Sequence, residues 1–336
     1  MYKKNSPPAY PLFCSVTERF RKTEPVDRKN KHNYLPINTN DFMEKKTILV
    51  VGSTGNQGSA VCQALFGSGI YQVRAMVQDP ASVKALTLQE QGAELVKADL
   101  EDRDSLDAAC QGVYGVFAVL RFFQTHQEQE TGQGVRLVDA AKAAGVQHFI
   151  YSSAASAHRR TGVPHLESKW KIEQHLRKTG LPHTIFRPVA FNYSMNEFKE
   201  TVREGYLPYA FSPETRIFQV DEHDYARHVL MALDNPDQWM GVGYDVASDS
   251  FTGRELVEIF SRVAGRPVEY RQISWEVETQ VAGQEVVNLM QWIQRVGPDI
   301  LVESRRRQYP WLTLFEDYLM ANGWENIALE SGHATA

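Results

Sequence analysis

Thr47-Ile48-Leu49-Val50-Val51-Gly52-Ser53-Thr54-Gly55-Asn56-Gln57-Gly58 is the stretch whose reading decides the fold of this 336-residue chain. Residues 47–51 form a short apolar run of the strand type, and a helical stretch over 56–67 follows the glycines. In that setting each glycine has a physical job. Gly52 permits the tight turn out of the strand, and Gly55 lacks a Cβ where the backbone must approach a pyrophosphate. Gly58 lets the helix pack closely on the sheet. The free N–H groups of the helix start, together with the helix dipole, make this loop a phosphate seat.

Working outward from the loop, strands and helices alternate. Tyr71–Val77 reads as strand two, and Asp79-Pro80 as a helix start with an acidic cap and a first-turn proline. Further strands are expected over 93–98, 113–120, 147–152 and 183–187. Helices are expected over 127–145 and 165–179. Strands with near-continuous Val, Ile and Leu between helices require a parallel sheet covered on both faces. Right-handed crossovers then give an α/β, Rossmann-like doubly wound sheet. Beyond Pro188 the rhythm loosens. Helices are expected over 221–233, 252–264 and 311–322, with a returning strand at 243–246 and a long amphipathic segment over 274–295. We read residues 44–250 as the dinucleotide-binding core. Residues 190–220 and 251–330 form a smaller C-terminal lobe over the cleft, where open α/β sheets bind ligands.

Residues 1–42 differ from the rest. They carry a net charge of +4 against −9 for the remainder, contain five prolines and show no hydrophobic period. They read as a disordered extension, with the folded part beginning near Met43. The chain as a whole has a net charge of −5 and a pI near 6.1. Such a chain has no broad electrostatic claim on nucleic acid or anionic lipid. No uncharged apolar run approaches the ~18 residues of a membrane span. The three cysteines, Cys14, Cys62 and Cys110, are far apart and match no zinc spacing. A cytoplasmic protein without a metal site, monomeric or homodimeric, is the expectation, with a nuclear location open if its role is regulatory.

The G-x-x-G-x-x-G spacing is that of the short-chain dehydrogenase/reductase superfamily, and Gly52-Ser-Thr-Gly-Asn-Gln-Gly58 resembles the loop of its atypical NmrA-like group. Linked motifs in the right order extend the resemblance over about residues 46–270: Ala98-Asp-Leu100, Gln127-Glu-Gln-Glu130, Phe149-Ile-Tyr-Ser-Ser153, His165-Leu-Glu-Ser-Lys169 and Gly180-Leu-Pro-His-Thr-Ile-Phe-Arg-Pro188. The resemblance implies a nicotinamide cofactor and places its contacts. Gly52, Ser53, Thr54, Gly55, Asn56, Gln57 and Gly58 cradle the pyrophosphate. Asp99 and Leu100 border the adenine, and Leu120, Arg121 and Phe122 flank the pyrophosphate and ribose. Ala190, Phe191, Asn192 and Tyr193 lie by the nicotinamide. Where the family often has an Arg that favours NADP, this chain has Gln78, with Lys84 one helix on. Asp79 reads either as a helix cap or as a ribose contact. NADP(H) is favoured by the resemblance, with NAD(H) also open.

Typical short-chain reductases place Tyr and Lys four apart on one helix face, with Ser on the preceding strand. Here the corresponding pair is His165 and Lys169, and Ser152 or Ser153 matches the serine. Lys169 holds the nicotinamide ribose in this reading. His165 is either a general acid, with an ordinary pKa of about 6.5, or a plain helix-start residue after Pro164. Asp221-Glu-His-Asp224 looks metal-like but reads as helix capping. Arg305-Arg-Arg307 reads as a solvated run, with a phosphate or partner contact as the alternative. Trp275, Trp292, Trp311 and Phe315 read as packing of the late lobe, with some of them open to line a hydrophobic substrate cleft. Two functions remain open. One is an NAD(P)H-dependent oxidoreductase acting on a small quinone, carbonyl or enal. The other is an inactive NADP(H) sensor that controls a protein partner.

Overall fold

A computed structural model describes residues 45–121 and 126–327. The expectations for residues 1–42 and for Phe122 lie outside the described residues. In chain order the elements are β1 (Lys46–Val51), α1 (Asn56–Ser68), β2 (Tyr71–Val77), α2 (Val83–Glu90), β3 (Glu94–Lys97), α3 (Arg103–Cys110) and β4 (Gly115–Val119). There follow α4 (Gln127–Ala143), β5 (His148–Ser152), α5 (Pro164–Thr179), β6 (His183–Pro188), β7 (Ala190–Phe191), α6 (Lys199–Glu204), β8 (Tyr206–Tyr209) and β9 (Arg216–Val220). The remainder comprises α7 (Glu222–Asp234), α8 (Pro236–Trp239), β10 (Gly243–Val246), β11 (Asp249–Thr252), α9 (Gly253–Ala264), β12 (Glu269–Gln272), α10 (Trp275–Ala282), α11 (Gln284–Arg295), α12 (Val302–Gln308) and α13 (Phe315–Ala321).

Seven parallel strands run in the order β10-β6-β5-β4-β1-β2-β3. The period-2 alternation of each strand feeds two cores, one on each face. Ile48, Val50, Phe117 and Ile150 pack with α1 and α7, through Val61, Leu65, Tyr225 and Val229. Their neighbours Leu49, Val51, Val116, Phe149 and Tyr151 face α3, α4 and α5, through Leu106, Leu137, Val138, Ile172 and Leu176. The order reverses between β1 and β4, so a crevice opens at their carboxyl ends.

A separate core built by Phe211, Phe251, Leu256, Phe260, Phe315, Leu319 and Trp324 gathers the elements expected to form the C-terminal lobe. Thr252 and Glu255 close a capping box on α9. The returning strand expected at 243–246 is β10, which joins the main sheet beside β6.

Four local expectations need correction. Asp79 and Pro80 form a turn in which Asp79 Oδ1 accepts the Ala81 N–H at 2.9 Å, and α2 begins only at Val83 after Ser82. Proline's fixed φ suits a turn as well as a first helical turn, so the dipeptide signal is degenerate. The amphipathic segment over 274–295 is two helices, interrupted by Gly283 at φ 85°. Arg305 is not simply solvated: its guanidinium lies 4.1 Å from the Tyr244 ring centroid. Of the four late aromatics, Phe315 belongs to the lobe core and Trp275 packs against it. Trp292 packs on Val163 and Leu166, and Trp311 on the main core.

Candidate functional site

The glycine loop is tightly determined. Gly52 sits at φ 78°, in the left-handed region, and a Cβ there would meet Val119 Cγ1 at 2.6 Å. A Cβ on Gly58 would stand 2.1 Å from the Gly52 carbonyl oxygen, which brings the first turn of α1 directly onto the end of β1. Ser53 is buried, and its hydroxyl donates to the Met76 carbonyl at 2.8 Å, pinning the loop to β2. Lys84 Nζ lies 3.4 Å from the Thr54 carbonyl oxygen, at the loop's outer side. Gln78 is exposed just past β2. Arg74 is committed elsewhere, to Glu94 at 3.0 Å and to the carbonyls of Ala109 and Gln111.

The remaining expected contacts lie at or just past the carboxyl ends of β3, β4, β5 and β6. Asp99 is exposed after β3 and accepts the Glu101 N–H, while the Leu100 carbonyl accepts from Arg136. Leu120 and Arg121 follow β4, Leu120 buried and Arg121 exposed. Ser152, at the end of β5, donates to Gln57 Oε1 at 2.8 Å and so ties β5 to the start of α1. Beyond β6, Phe191 is buried and stacks on Tyr193, with ring centroids 5.4 Å apart and planes at 10°. Burial raises the Tyr193 phenol pKa against hydrogen bonds with the Asn56 and Gln57 side chains. Ala190 is exposed.

Ser153 diverges from Ser152. Its hydroxyl donates to Glu173 at 2.6 Å, and Glu173 is held bidentately by Arg187 at 2.8 and 2.6 Å. Ser153 therefore hydrogen-bonds to the buried Glu173–Arg187 ion pair. Lys169 is 3% exposed, with Nζ 2.5 Å from Glu130 Oε1 and 3.2 Å from the Leu120 carbonyl oxygen. The other carboxylate oxygen of Glu130 accepts from the Ser168 hydroxyl. Burial, reinforced by the Lys169 charge, holds the His165 imidazole down to about 3. His165 is thus neutral near pH 7 and has no imidazolium proton to give.

Glu130, the buried partner of the candidate Lys169, is a residue that the residue pattern did not single out. An acid in the first turn of a helix ordinarily complements the dipole, and only the fold shows it fully buried on Lys169. Asp221 caps α7 by accepting the His223 and Asp224 N–H groups at 2.8 and 3.3 Å. The ligand-type atoms of Asp221, Glu222 and His223 lie within 4.8 Å of one another, and Asp221 Oδ1 is also the capping oxygen. Cys62 and Cys110 are buried, and desolvation pushes both thiols up to about 12, so neither is a reactive thiolate.

Three observations fit a dinucleotide to this crevice. The start of α1 has no side-chain cap and no acid in its first turn, which leaves its N–H groups to an anion. A Cβ on Gly52 or Gly58 would collide with the loop's own packing, so the close backbone approach is built in. Asn192 is fully buried, yet neither amide atom has a partner among the described residues.

The fold and crevice define a member of the doubly wound α/β proteins with a dinucleotide-type glycine loop. A family model described as the NmrA-like family matches residues 44–308, and the chain belongs to that family. It is 30% identical over 262 residues to the NmrA-like family domain-containing oxidoreductase hkm9 of Aspergillus hancockii, covering 69% of this chain and 76% of that one. It is 29% identical over 235 residues to the NAD(P)H azoreductase of Xenophilus azovorans, covering 69% and 79%. Among solved structures, the negative transcriptional regulator NmrA in complex with NADP superposes with a TM-score of 0.66 at 25% identity, over 83% of this chain and 99% of that one. NmrA in complex with NAD superposes similarly, with a TM-score of 0.67 at 24% identity. No described helix is long and apolar enough to cross a membrane.

Proposed function

We propose that this protein binds NAD(P)(H) in the crevice between the glycine loop and the end of β6 and uses it to reduce a small quinone, carbonyl or enal. The observation that carries this reading is the buried Lys169, held by Glu130 and the Leu120 carbonyl beside an uncapped phosphate seat. The cofactor, when bound, supplies the hydride. Residues 52–58 hold the diphosphate, and Ser152 fixes Gln57 so that the seat stays in register with β5. Lys169 has three N–H groups, of which Glu130 and Leu120 take two, leaving one for the ribose. His165, being neutral, acts as a wall and hydrogen-bonding group, and the proton for the acceptor comes from Lys169 or water. NADP(H) is the favoured cofactor. Gln78 brings no charge to the 2′ position, and Lys84, beside Thr54, supplies the cation that a 2′-phosphate needs.

NADPH oxidation against a panel of quinones and enals, with binding measured on the same protein and Lys169→Ala alongside, tests the reading. We expect turnover that falls at least ~100-fold in the variant, the scale of losing a positioned catalytic group. No turnover by protein that binds NADPH favours the second reading, an NADP(H)-sensing regulator of a protein partner.

One observation supports that alternative. Ser156 and Arg160 adopt left-handed φ of 68° and 53° in the segment between β5 and α5, and Arg159 between them docks on α11. Its guanidinium donates to the Gly297 carbonyl at 2.7 Å and lies 5.7 Å from the Trp292 ring centroid. Cofactor occupancy at β5 would then be felt at α11, read out as changed hydrogen exchange there on adding NADPH.

A further inference from the structure

We infer that Glu130 sets the relative affinity of this protein for oxidised and reduced nicotinamide, by cancelling the charge of Lys169. The inference rests on the cofactor-binding reading above and concerns a property that holds whether or not turnover follows.

Lys169 and Glu130 are both buried, at 3% and 0% exposure, and they are 39 residues apart in sequence. Glu130 spends one carboxylate oxygen on the ammonium and the other on Ser168. Among the described residues it is the carboxylate within ion-pair distance of Lys169. Glu173, one turn further along α5, is taken by Arg187 and Ser153. The pair therefore enters the crevice with no net charge.

The oxidised nicotinamide ring carries a positive charge and the reduced ring carries none. A lone buried ammonium beside the ring repels the oxidised form and leaves the reduced form untouched. A lone carboxylate does the reverse. Two unit charges ~10 Å apart, at an effective dielectric of ~20, change binding by more than about tenfold. The neutral pair removes that bias, so both redox forms are accepted on nearly equal electrostatic terms. Glu130 is in this sense a positioning and charge-setting residue that acts through Lys169.

The test is the ratio of dissociation constants, Kd for NADP⁺ over Kd for NADPH, measured by titration on the full chain and on three variants. Glu130→Gln should raise the ratio about tenfold. Lys169→Met, which leaves the Glu130 charge alone in the site, should lower it by a similar factor. The double variant, again without net charge, should return to within about threefold of the starting ratio. A merely structural role for Glu130 would weaken both redox forms together and leave the ratio unmoved. Equal ratios in all four proteins, or shifts of the same sign in both single variants, overturn the inference. If Glu130→Gln fails to fold, the Lys169→Met ratio decides alone, since its fall depends on the charge of Glu130. An unmutated protein that binds neither form overturns the cofactor reading itself, an outcome visible before any variant is made.

Discussion

Gly58 and Gly67 lie in the same helix, and the same substitution should have opposite signs at the two positions. Replacing a helical glycine by alanine ordinarily stabilises by about 0.5–1 kcal/mol, because the unfolded chain has less freedom to lose. At Gly67 a Cβ would meet nothing within 4 Å, so that gain should appear undiminished. At Gly58 the Cβ would stand 2.1 Å from the Gly52 carbonyl oxygen, 2.6 Å from its carbonyl carbon and 2.9 Å from Ser53 Cα. All three neighbours are backbone, held by the turn at Gly52 and by the Ser53 bond to Met76, so none can swing aside as a side-chain end would. Reaching ordinary contact at 3.4 Å requires α1 to move off β1 by 1.3 Å, the difference from 2.1 Å. Forcing atoms into a packed site costs about 1–3 kcal/mol, and a backbone collision of this depth belongs at the upper end. Net of the propensity gain, Gly58→Ala should lose about 2 kcal/mol. Urea unfolding followed by far-UV circular dichroism measures both variants under one set of conditions. A Gly58→Ala protein as stable as Gly67→Ala would refute the packing argument, and with it the assignment of Gly58 as a contact glycine.

Two further outcomes follow from buried charge. Glu173→Gln strips Arg187 of its bidentate partner inside the protein, and urea melts should show a loss of about 3–5 kcal/mol, with Glu173→Gln/Arg187→Met recovering part of it. Burial holds His228 down to about 4, below the ~6.5 of an unfolded imidazole, so the unfolded state binds the extra proton between these values. Its contribution is fully present above about pH 6.5 and is lost as pH falls towards 4. His228→Phe should therefore flatten the fall of stability with acid by up to ~1.4 kcal/mol per pH unit, and an unchanged slope would count against a neutral native His228.

What the sequence determined by itself is the local part of the molecule. The run at 47–51 and the three glycines were legible because period, turn chemistry and helix start are encoded within a dozen residues, and Tyr71–Val77 and Gly243–Val246 match the structure residue for residue. The alternation of such elements was enough for a doubly wound sheet, since few topologies satisfy parallel strands with right-handed crossovers. Signals shared between structures misled: Asp79-Pro80 serves a turn as readily as a helix, and Gly283 divides a segment whose hydrophobic spacing runs through it.

The roles of the site residues were decided by tertiary structure. Nothing local distinguishes Ser152, which ties Gln57 across 95 residues, from its neighbour Ser153, which is drawn into the Glu173–Arg187 pair. Nothing in Gln127-Glu-Gln-Glu130 marks the second glutamate as the buried partner of Lys169, and nothing in His165 reveals an imidazole kept neutral. Charge state and pairing depend on what solvent is excluded and which distant groups replace it. Those quantities exist only once the strands are in register.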